Sequence, residues 1–346
     1  VRERAVAVTL VGDEARLRDE LARRGVRLDE SATSDPSIGP GRLRLQHASE
    51  VITMEDSPGQ AFKTKKDSSM RVCFNLVSRG EADAVVSAGN SGAMLACGLF
   101  LMKRIAGVER PGIMTLAPTK DGSYCVVLDV GANTDVKAVS LAQFAVLGAA
   151  YARCVLGKAR PRVAVLSNGE EESKGTEVTR EAHRRLRAAA SSGFEDFEFC
   201  GYAEGRDFFR AGPDGFDVIV TDGWTGNIAL KTFEGGLDLI FDLLRREAGR
   251  SIRTRLGALL LRPAFRALKR RIEPEEYGGA PLLGVDGVAV IAHGRATPKA
   301  LKNAIFTADR LVGAGLLPAL AQAIERNRPF FGDDGDAARE PRARQS

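Results

Sequence analysis

A layered α/β sandwich on a mostly parallel sheet is the fold class this sequence predicts, and three observations predict it. Apolar, strand-length runs alternate with helix-length stretches along nearly the whole chain. Four of those runs, Ala84-Val85-Val86, Val126-Val127-Leu128, Val163-Ala164-Val165-Leu166 and Val218-Ile219-Val220, contain no polar residue. Each leads into a polar, glycine-bearing segment: Ser87–Gly92, Asp129–Asp135, Asn168–Gly175 and Thr221–Asn227. A fifth signature is Tyr277-Gly278-Gly279-Ala280-Pro281. Alternating strands and helices specify a layered fold with parallel strands. Ligands bind at the strand ends of such sheets, because backbone N–H groups and helix N-termini point outward there together. Several such loops on one sheet edge point to an enzyme that binds a phosphate-like anion.

The elements follow from period and punctuation. A strand over 5–11 precedes a helix over 13–25 and a strand around Leu43-Arg44-Leu45. One long helix is predicted from Ser57 to Arg79, then a strand over 83–87 and a helix from Asn90 to Ile105 that is apolar nearly all round. Strands over 112–117 and 124–130 lead to a helix from Val139 to Leu156. Next come a strand over 162–167, a helix over 176–190, strands over 196–201 and 216–221, and a helix from Gly226 to Arg246. A hairpin over 282–291 turns on Asp286-Gly287, and a last helix runs from Pro298 to Asn327. The segment from Gly332 to Ser346 is acidic, then basic, and nearly free of apolar residues, the composition of a disordered tail. A single α/β domain over 1–331 is therefore expected.

Composition narrows the function classes. With 346 residues and 44% hydrophobic content the chain can bury a large core, and a mean hydropathy of -0.13 is ordinary for a water-soluble protein. Five scattered cysteines without a C-x-x-C pair fit neither a disulfide frame nor a zinc site. Three dispersed histidines make no metal cluster, and no metal or cofactor is expected. No apolar run approaches ~20 residues, the length of a membrane-spanning helix, and the start lacks a signal-peptide core. The chain opens on Val1 and enters a strand almost at once, an abrupt beginning that implies upstream residues.

Charge is segregated. Between Arg245 and Arg271 stand ten Lys or Arg and one acid, Glu247, a local net of +9 within a chain of net +5. The stretch also holds Leu259, Leu260, Leu261 and Phe265. Leucines ringed by arginine suit an anionic bilayer surface; a helix packing its leucines against a partner subunit accounts for them equally well. Nucleic acid ranks below both, because aromatic residues for stacking are nearly absent and the rest of the surface repels phosphate backbones.

The loops read chemically as follows. Gly89 frees the backbone beside Asn90, an N-cap candidate, so neighbouring amides can grip an oxyanion. In Asn168–Gly175, Lys174 neutralises bound phosphate while Glu171 or Glu172 holds the lysine in place. Asp129 and Asp135 bind a cation, orient amides or cap structure. Asp222 ends a buried strand, Gly223 and Gly226 permit close backbone approach, and Asn227 opens the next helix. Trp224, the only tryptophan, is a pocket wall or a core plug. No G-x-S-x-G elbow, P-loop or G-x-G-x-x-G fingerprint is present, which disfavours a covalent serine or cysteine enzyme and a nucleotide hydrolase.

Seven blocks, Met54–Pro58, Lys65–Met70, Ala82–Asn90, Leu128–Asp135, Gly169–Gly175, Thr221–Lys231 and Tyr277–Gly284, together resemble the bacterial fatty-acyl-carrier-protein:phosphate acyltransferases of the PlsX type. The likeness runs in order from about Val8 to Asn327. It implies reversible transfer of a long acyl chain from acyl-carrier protein to inorganic phosphate, giving an acyl phosphate that a membrane glycerol-phosphate acyltransferase consumes in phospholipid synthesis. It also implies a Rossmann-like α/β/α fold related to phosphate acetyltransferases and isocitrate dehydrogenases. A homodimer is implied too, with peripheral contact to the inner face of the cell membrane through a helical hairpin over about 236–275. Members carry an earlier strand and a Met-Gly-Gly-Asp loop that this sequence lacks. Ser91 stands where threonine is commoner, and Arg295-Ala296 replaces a serine pair after His293-Gly294.

The mechanism expected from these loops is direct attack of phosphate on the thioester carbonyl, with no covalent enzyme intermediate. Lys174 carries the phosphate charge, Asn227 and Asn90 donate to phosphate or oxyanion, and Asp222 orients them. Ser87, Gly89, Ser91, Asn133, Asp135, Glu171, Gly223, Gly226, Gly279 and His293 complete the expected substrate-binding set. The alternatives are a phosphate acetyltransferase-like enzyme using short acyl groups on coenzyme A, and a non-catalytic membrane-binding protein.

Overall fold

The computed structural model describes residues 6–26, 43–192, 196–272 and 278–330. Along the chain run β1 (Val8–Gly12), α1 (Glu14–Arg23), β2 (Leu43–His47), α2 (Pro58–Thr64), α3 (Ser69–Ser78), β3 (Ala84–Ser87) and α4 (Ser91–Cys97), which a π-helical turn over Gly98–Met102 extends. Then come β4 (Gly112–Pro118), β5 (Tyr124–Leu128), α5 (Ala138–Leu156), β6 (Arg162–Leu166), α6 (Glu177–Ser191), β7 (Glu198–Ala203), β8 (Val218–Val220) and α7 (Gly223–Ala248). Finally there are α8 (Ile252–Ile272), β9 (Ala280–Leu283), β10 (Val288–Ile291), α9 (Pro298–Gly313) and α10 (Leu316–Asn327). The chain divides into two compact units, Val1–Arg104 with Glu273–Leu317, and Ile105–Ile272 with Pro318–Ser346.

In the first unit β1 pairs in parallel with β2, and β10 lies between β3 (parallel) and β9 (antiparallel). Phe74, Met94 and Leu283 are fully enclosed. The hairpin expected over 282–291 is present as β9 and β10. In the second unit the strand order is β4-β5-β8-β6-β7, with only the β4–β5 pair antiparallel. The strands β5, β6 and β8 are almost wholly buried, as their unbroken apolar runs require of strands covered on both faces. The helix α5 is long and apolar enough to cross a bilayer, yet every residue from Val139 to Ala152 is buried. It is the core helix of this unit, seated on β8 through Gly148, where a Cβ would come within 2.5 Å of Val218.

Three predicted helices differ in the structure. The helix expected from Ser57 to Arg79 is two, because Lys65–Ser68 leaves the helical path to bond with the preceding segment. Asp67 accepts from the Ser49 amide and hydroxyl at 2.8 and 2.6 Å and donates its own amide to Glu50 at 2.8 Å. Such polar side chains compete with helical hydrogen bonding. The helix expected from Asn90 to Ile105 widens to a π turn at Gly98, which rests on Leu282 and Val285. The last helix is interrupted at Ala314-Gly315, with Gly315 at φ +67°. Tyr277 and the tail over 332–346 lie outside the described residues.

None of the five cysteines is in a disulfide. Burial pushes the Cys73 and Cys97 thiols up, to about 11 and about 12, so they pack rather than react.

Candidate active site

In the second unit, β8 is the last of the parallel strands in sequence but lies between β5 and β6. The loops after three neighbouring strands therefore emerge at one carboxyl edge, as their signatures predicted.

The loop after β5 is organised by Asp129, whose side chain is 0% exposed. One carboxylate oxygen accepts from the amides of Ile113, Gly131 and Ala132 at 2.9–3.0 Å. The other accepts from the Asn133 amide at 2.8 Å and side chain at 2.9 Å. Burial pushes this carboxyl up, while the donors of Ala132, Asn133 and Gly131 pull it down. Five donors leave no room for a cation, so Asp129 orients amides, one of the roles its motif left open. Asn133 is buried and spends its amide on Asp129 and on the Pro111 carbonyl at 2.7 Å. Asp135 is exposed on the same loop.

The loop after β8 docks onto this one. Gly223 donates its amide to the Asn133 carbonyl at 2.7 Å. A Cβ on Gly223 would meet Asn133 and Asp129, and a Cβ on Gly226 would collide with the Asp129 carbonyl oxygen. The two glycines thus let the first turn of α7 lie directly on the β5 loop. Asp222, not Asn227, caps the helix: its carboxylate accepts from the Thr225 amide and hydroxyl, each at 2.8 Å. Asn227 is the fifth residue of α7, exposed, with its amide oxygen 3.9 Å from where a Cβ on Gly131 would stand. Trp224 is 62% exposed, which excludes a core plug.

The loop after β6 folds on itself. Asn168 accepts from the Gly175 amide at 2.9 Å, Arg180 donates to the Gly175 carbonyl at 2.7 Å, and Thr176 caps α6. Gly169 lets the Glu171 carboxylate and the Lys174 stem close over it, each within 2.8 Å of where a Cβ would be. Glu172 does not hold Lys174; it pairs with Arg187 at 2.8 Å, while Glu170 approaches Arg206 at 3.6 Å. These pairs fasten the outer wall of the loop, which borders a cavity of about 690 Å³ beside β7. Lys174 is exposed and has no carboxylate within ion-pair distance among the described residues, so its charge is available to an anion.

The first unit has a polar edge of its own, where β3 and β10 end side by side. The Ala292 amide donates to the Ser87 carbonyl at 2.8 Å, which brings the His293 loop beside Ser87–Ser91. Ser87 accepts from the Gly89 amide at 3.1 Å. Asn90 is 8% exposed and caps α4, accepting from the Ala93 amide at 3.1 Å. Its amino group donates to the carbonyls of Thr53 (3.3 Å) and Asp56 (3.1 Å). The N-cap reading of Asn90 holds, and its side chain is committed to that framework. Ser91 and His293 are exposed, and His293 accepts from the Arg295 amide at 3.2 Å. Gly279, at φ +85°, sits against the Ile291 carbonyl, so its glycine serves the start of β9.

Two structural details of these edges escaped the sequence. Asp56 and Lys65 form an ion pair of 2.6 Å, and Lys65 with the Thr53 amide holds the Asp56 carboxyl below its usual range. Their spacing in two separate motifs was the available signal. The central place of Asp129 in its loop depends on Ile113, which no local pattern connects to it.

A family profile described as "Fatty acid synthesis protein" matches residues 1–318. The phosphate acyltransferase of Geobacter sulfurreducens is 44% identical over 98% of this chain and 92% of its own length. That of Myxococcus xanthus is 47% identical over 92% of this chain and 85% of its own. Among solved structures, a phosphotransacetylase from Streptococcus pyogenes superposes with a TM-score of 0.50 at 18% identity, covering 94% of this chain and 97% of that one. The EutD phosphotransacetylase of Staphylococcus aureus gives 0.50 at 17%, over 90% and 85%. These two establish the fold class, a phosphotransacetylase-like α/β architecture. Matched along most of its length by the profile and by relatives of such identity, the chain belongs to the fatty acid synthesis protein family that includes the phosphate acyltransferases of Geobacter and Myxococcus.

Proposed function

We propose that the chain transfers a fatty acyl group reversibly from acyl-carrier protein to inorganic phosphate, yielding acyl phosphate for phospholipid synthesis. A phosphate oxygen attacks the thioester carbonyl, the carbon–sulfur bond breaks from the tetrahedral intermediate, and the carrier thiolate leaves and takes a proton. Phosphate dianion is already nucleophilic near neutral pH, so the protein's task is to hold two anionic partners together and stabilise the oxyanion. The observation that carries this reading is the second unit's rim, where an exposed lysine and an exposed amide rise from loops after neighbouring parallel strands.

Lys174 neutralises phosphate, and Asn227 donates to phosphate or oxyanion. Asp222 fixes the α7 turn that carries Asn227. Asn133, Asp135, Glu171, Gly223 and Gly226 shape the floor. Ser87, Gly89, Ser91 and His293 form the first unit's substrate-binding edge, and Asn90, expected to donate to phosphate or oxyanion, instead holds that edge together through its bonds to Thr53, Asp56 and Ala93. The enzyme works as a homodimer at the inner face of the membrane, delivering product to a membrane glycerol-phosphate acyltransferase. The exposed Leu259, Leu260 and Leu261 among arginines on α8, with half-buried Phe265, support membrane contact. The decisive experiment is trapping of acyl phosphate with hydroxylamine after mixing palmitoyl-carrier protein and phosphate. Phosphate-dependent hydroxamate is expected. Its absence, or a preference for acetyl-coenzyme A, overturns the reading.

A further inference from the structure

We propose that Trp224 and Ile228 form an apolar subsite on α7 for the first methylenes of the donor's acyl chain; the inference rests on the acyl-transfer reading above. Trp224 is 62% and Ile228 50% exposed, one helical turn apart, so they stand on one face of the helix. At 3.6 residues per turn, Asn227 lies about 40° around the helix from Gly223, and Trp224 and Ile228 about 100° and 140°. The helix surface therefore changes in order, from the glycine seam on the Asp129 loop, to the exposed amide, to a bare apolar pair.

That order matches the substrate. A near-attack geometry puts a phosphate oxygen about 3–3.5 Å from the thioester carbonyl carbon, and the alkyl chain begins at that same carbon. Wherever Asn227 holds phosphate or oxyanion, the early methylenes emerge within a few ångströms of it. The Trp224–Ile228 face is the apolar surface that borders Asn227 on its own helix. Isolated exposed apolar residues need no explanation, but this pair is contiguous with a polar rim. It is also separate from the leucine-rich surface. The next exposed large hydrophobic residues on α7 are Leu239 and Ile240, about 22 Å farther along the axis from Trp224.

Because Trp224 is the chain's only tryptophan, its fluorescence reports on the subsite alone. Titration of the wild-type protein with palmitoyl-carrier protein should shift emission to the blue, whereas phosphate and unacylated carrier protein should leave it in place. An equal shift with unacylated carrier overturns the proposal in favour of a carrier-protein contact, and no shift with palmitoyl-carrier protein overturns it outright. In the acyl phosphate assay, Trp224→Ala should lower the palmitoyl-to-acetyl ratio of kcat/KM about tenfold, because an acetyl group has no methylenes to lose from the subsite, and Trp224→Phe should restore most of it. An unchanged ratio in a protein that still makes acyl phosphate defeats this inference and spares the function. No acyl phosphate from any donor defeats both. A changed oligomeric state in Trp224→Ala on size-exclusion chromatography would assign the face to a second copy, and would also overturn it.

Discussion

Lys174 and Asp129 show two opposite uses of charge within one rim. Lys174 is exposed and has no ion-pair partner among the described residues, so removing it strips an interaction from a bound anion without leaving a buried group unsatisfied. Lys174→Ala is expected to reduce acyl phosphate turnover by about 10–100-fold while thermal melting changes by no more than a surface substitution would. Steady-state assay and melting together check this. Asp129 is fully enclosed and holds five N–H donors. Asp129→Asn turns an amino group toward some of those donors and should cost about 3 kcal/mol, the range for breaking a buried charged network. Urea unfolding measures it. The sequence made Lys174 a candidate through its glycine-flanked acidic loop, but left Asp129 between cation binding, amide orientation and capping. Choosing among these required counting donors, and one comes from Ile113 on another strand.

At the scale of elements, the close seating of α7 on the β5 loop is the critical contact. Gly226 meets the Asp129 carbonyl so closely that no side chain fits, and Gly223 donates to Asn133. Gly226→Ala must push the start of α7 outward. Displacement of about 1 Å at a reacting centre costs on the order of a hundredfold in rate, so kcat should fall by that order with helix content in circular dichroism retained. A rate near wild type would mean that α7 does not position the chemistry. The sequence announced these glycines as permitting close approach. It misread the cap, because Asp222 and Asn227 are both acceptable N-cap residues and only the start of the helix separates them. It also joined α2 to α3, since the Lys65–Ser68 break is made by bonds to Ser49 and Glu50 that no helical period reports.

At the scale of the molecule, the charge separation legible in composition has a structural counterpart. Leu256, Leu259, Leu260 and Leu261 are exposed on α8, and its neighbours are arginines. Leu260 is 82% exposed, so it contributes little to the fold in water and is free to enter a bilayer surface. Leu260→Glu should weaken flotation with anionic liposomes at least tenfold, by lost apolar burial and added repulsion, leaving turnover on carrier-protein substrate in solution intact. Unaltered flotation would dismiss membrane contact by this helix.

From the sequence by itself came the alternation of strands and helices, the four loops at strand ends, the glycines, the charged segment and the family resemblance. All of these are local patterns or ordered blocks, written in consecutive residues. Tertiary structure alone decided that β8 lies between β5 and β6, which brings the Lys174, Asn133 and Asn227 loops to one edge. It also decided that Asp129 binds amides, that Asn90 is tied to Thr53 and Asp56, and that Trp224 faces solvent. Strand order and burial arise from contacts between segments far apart in the chain, and no short pattern encodes those.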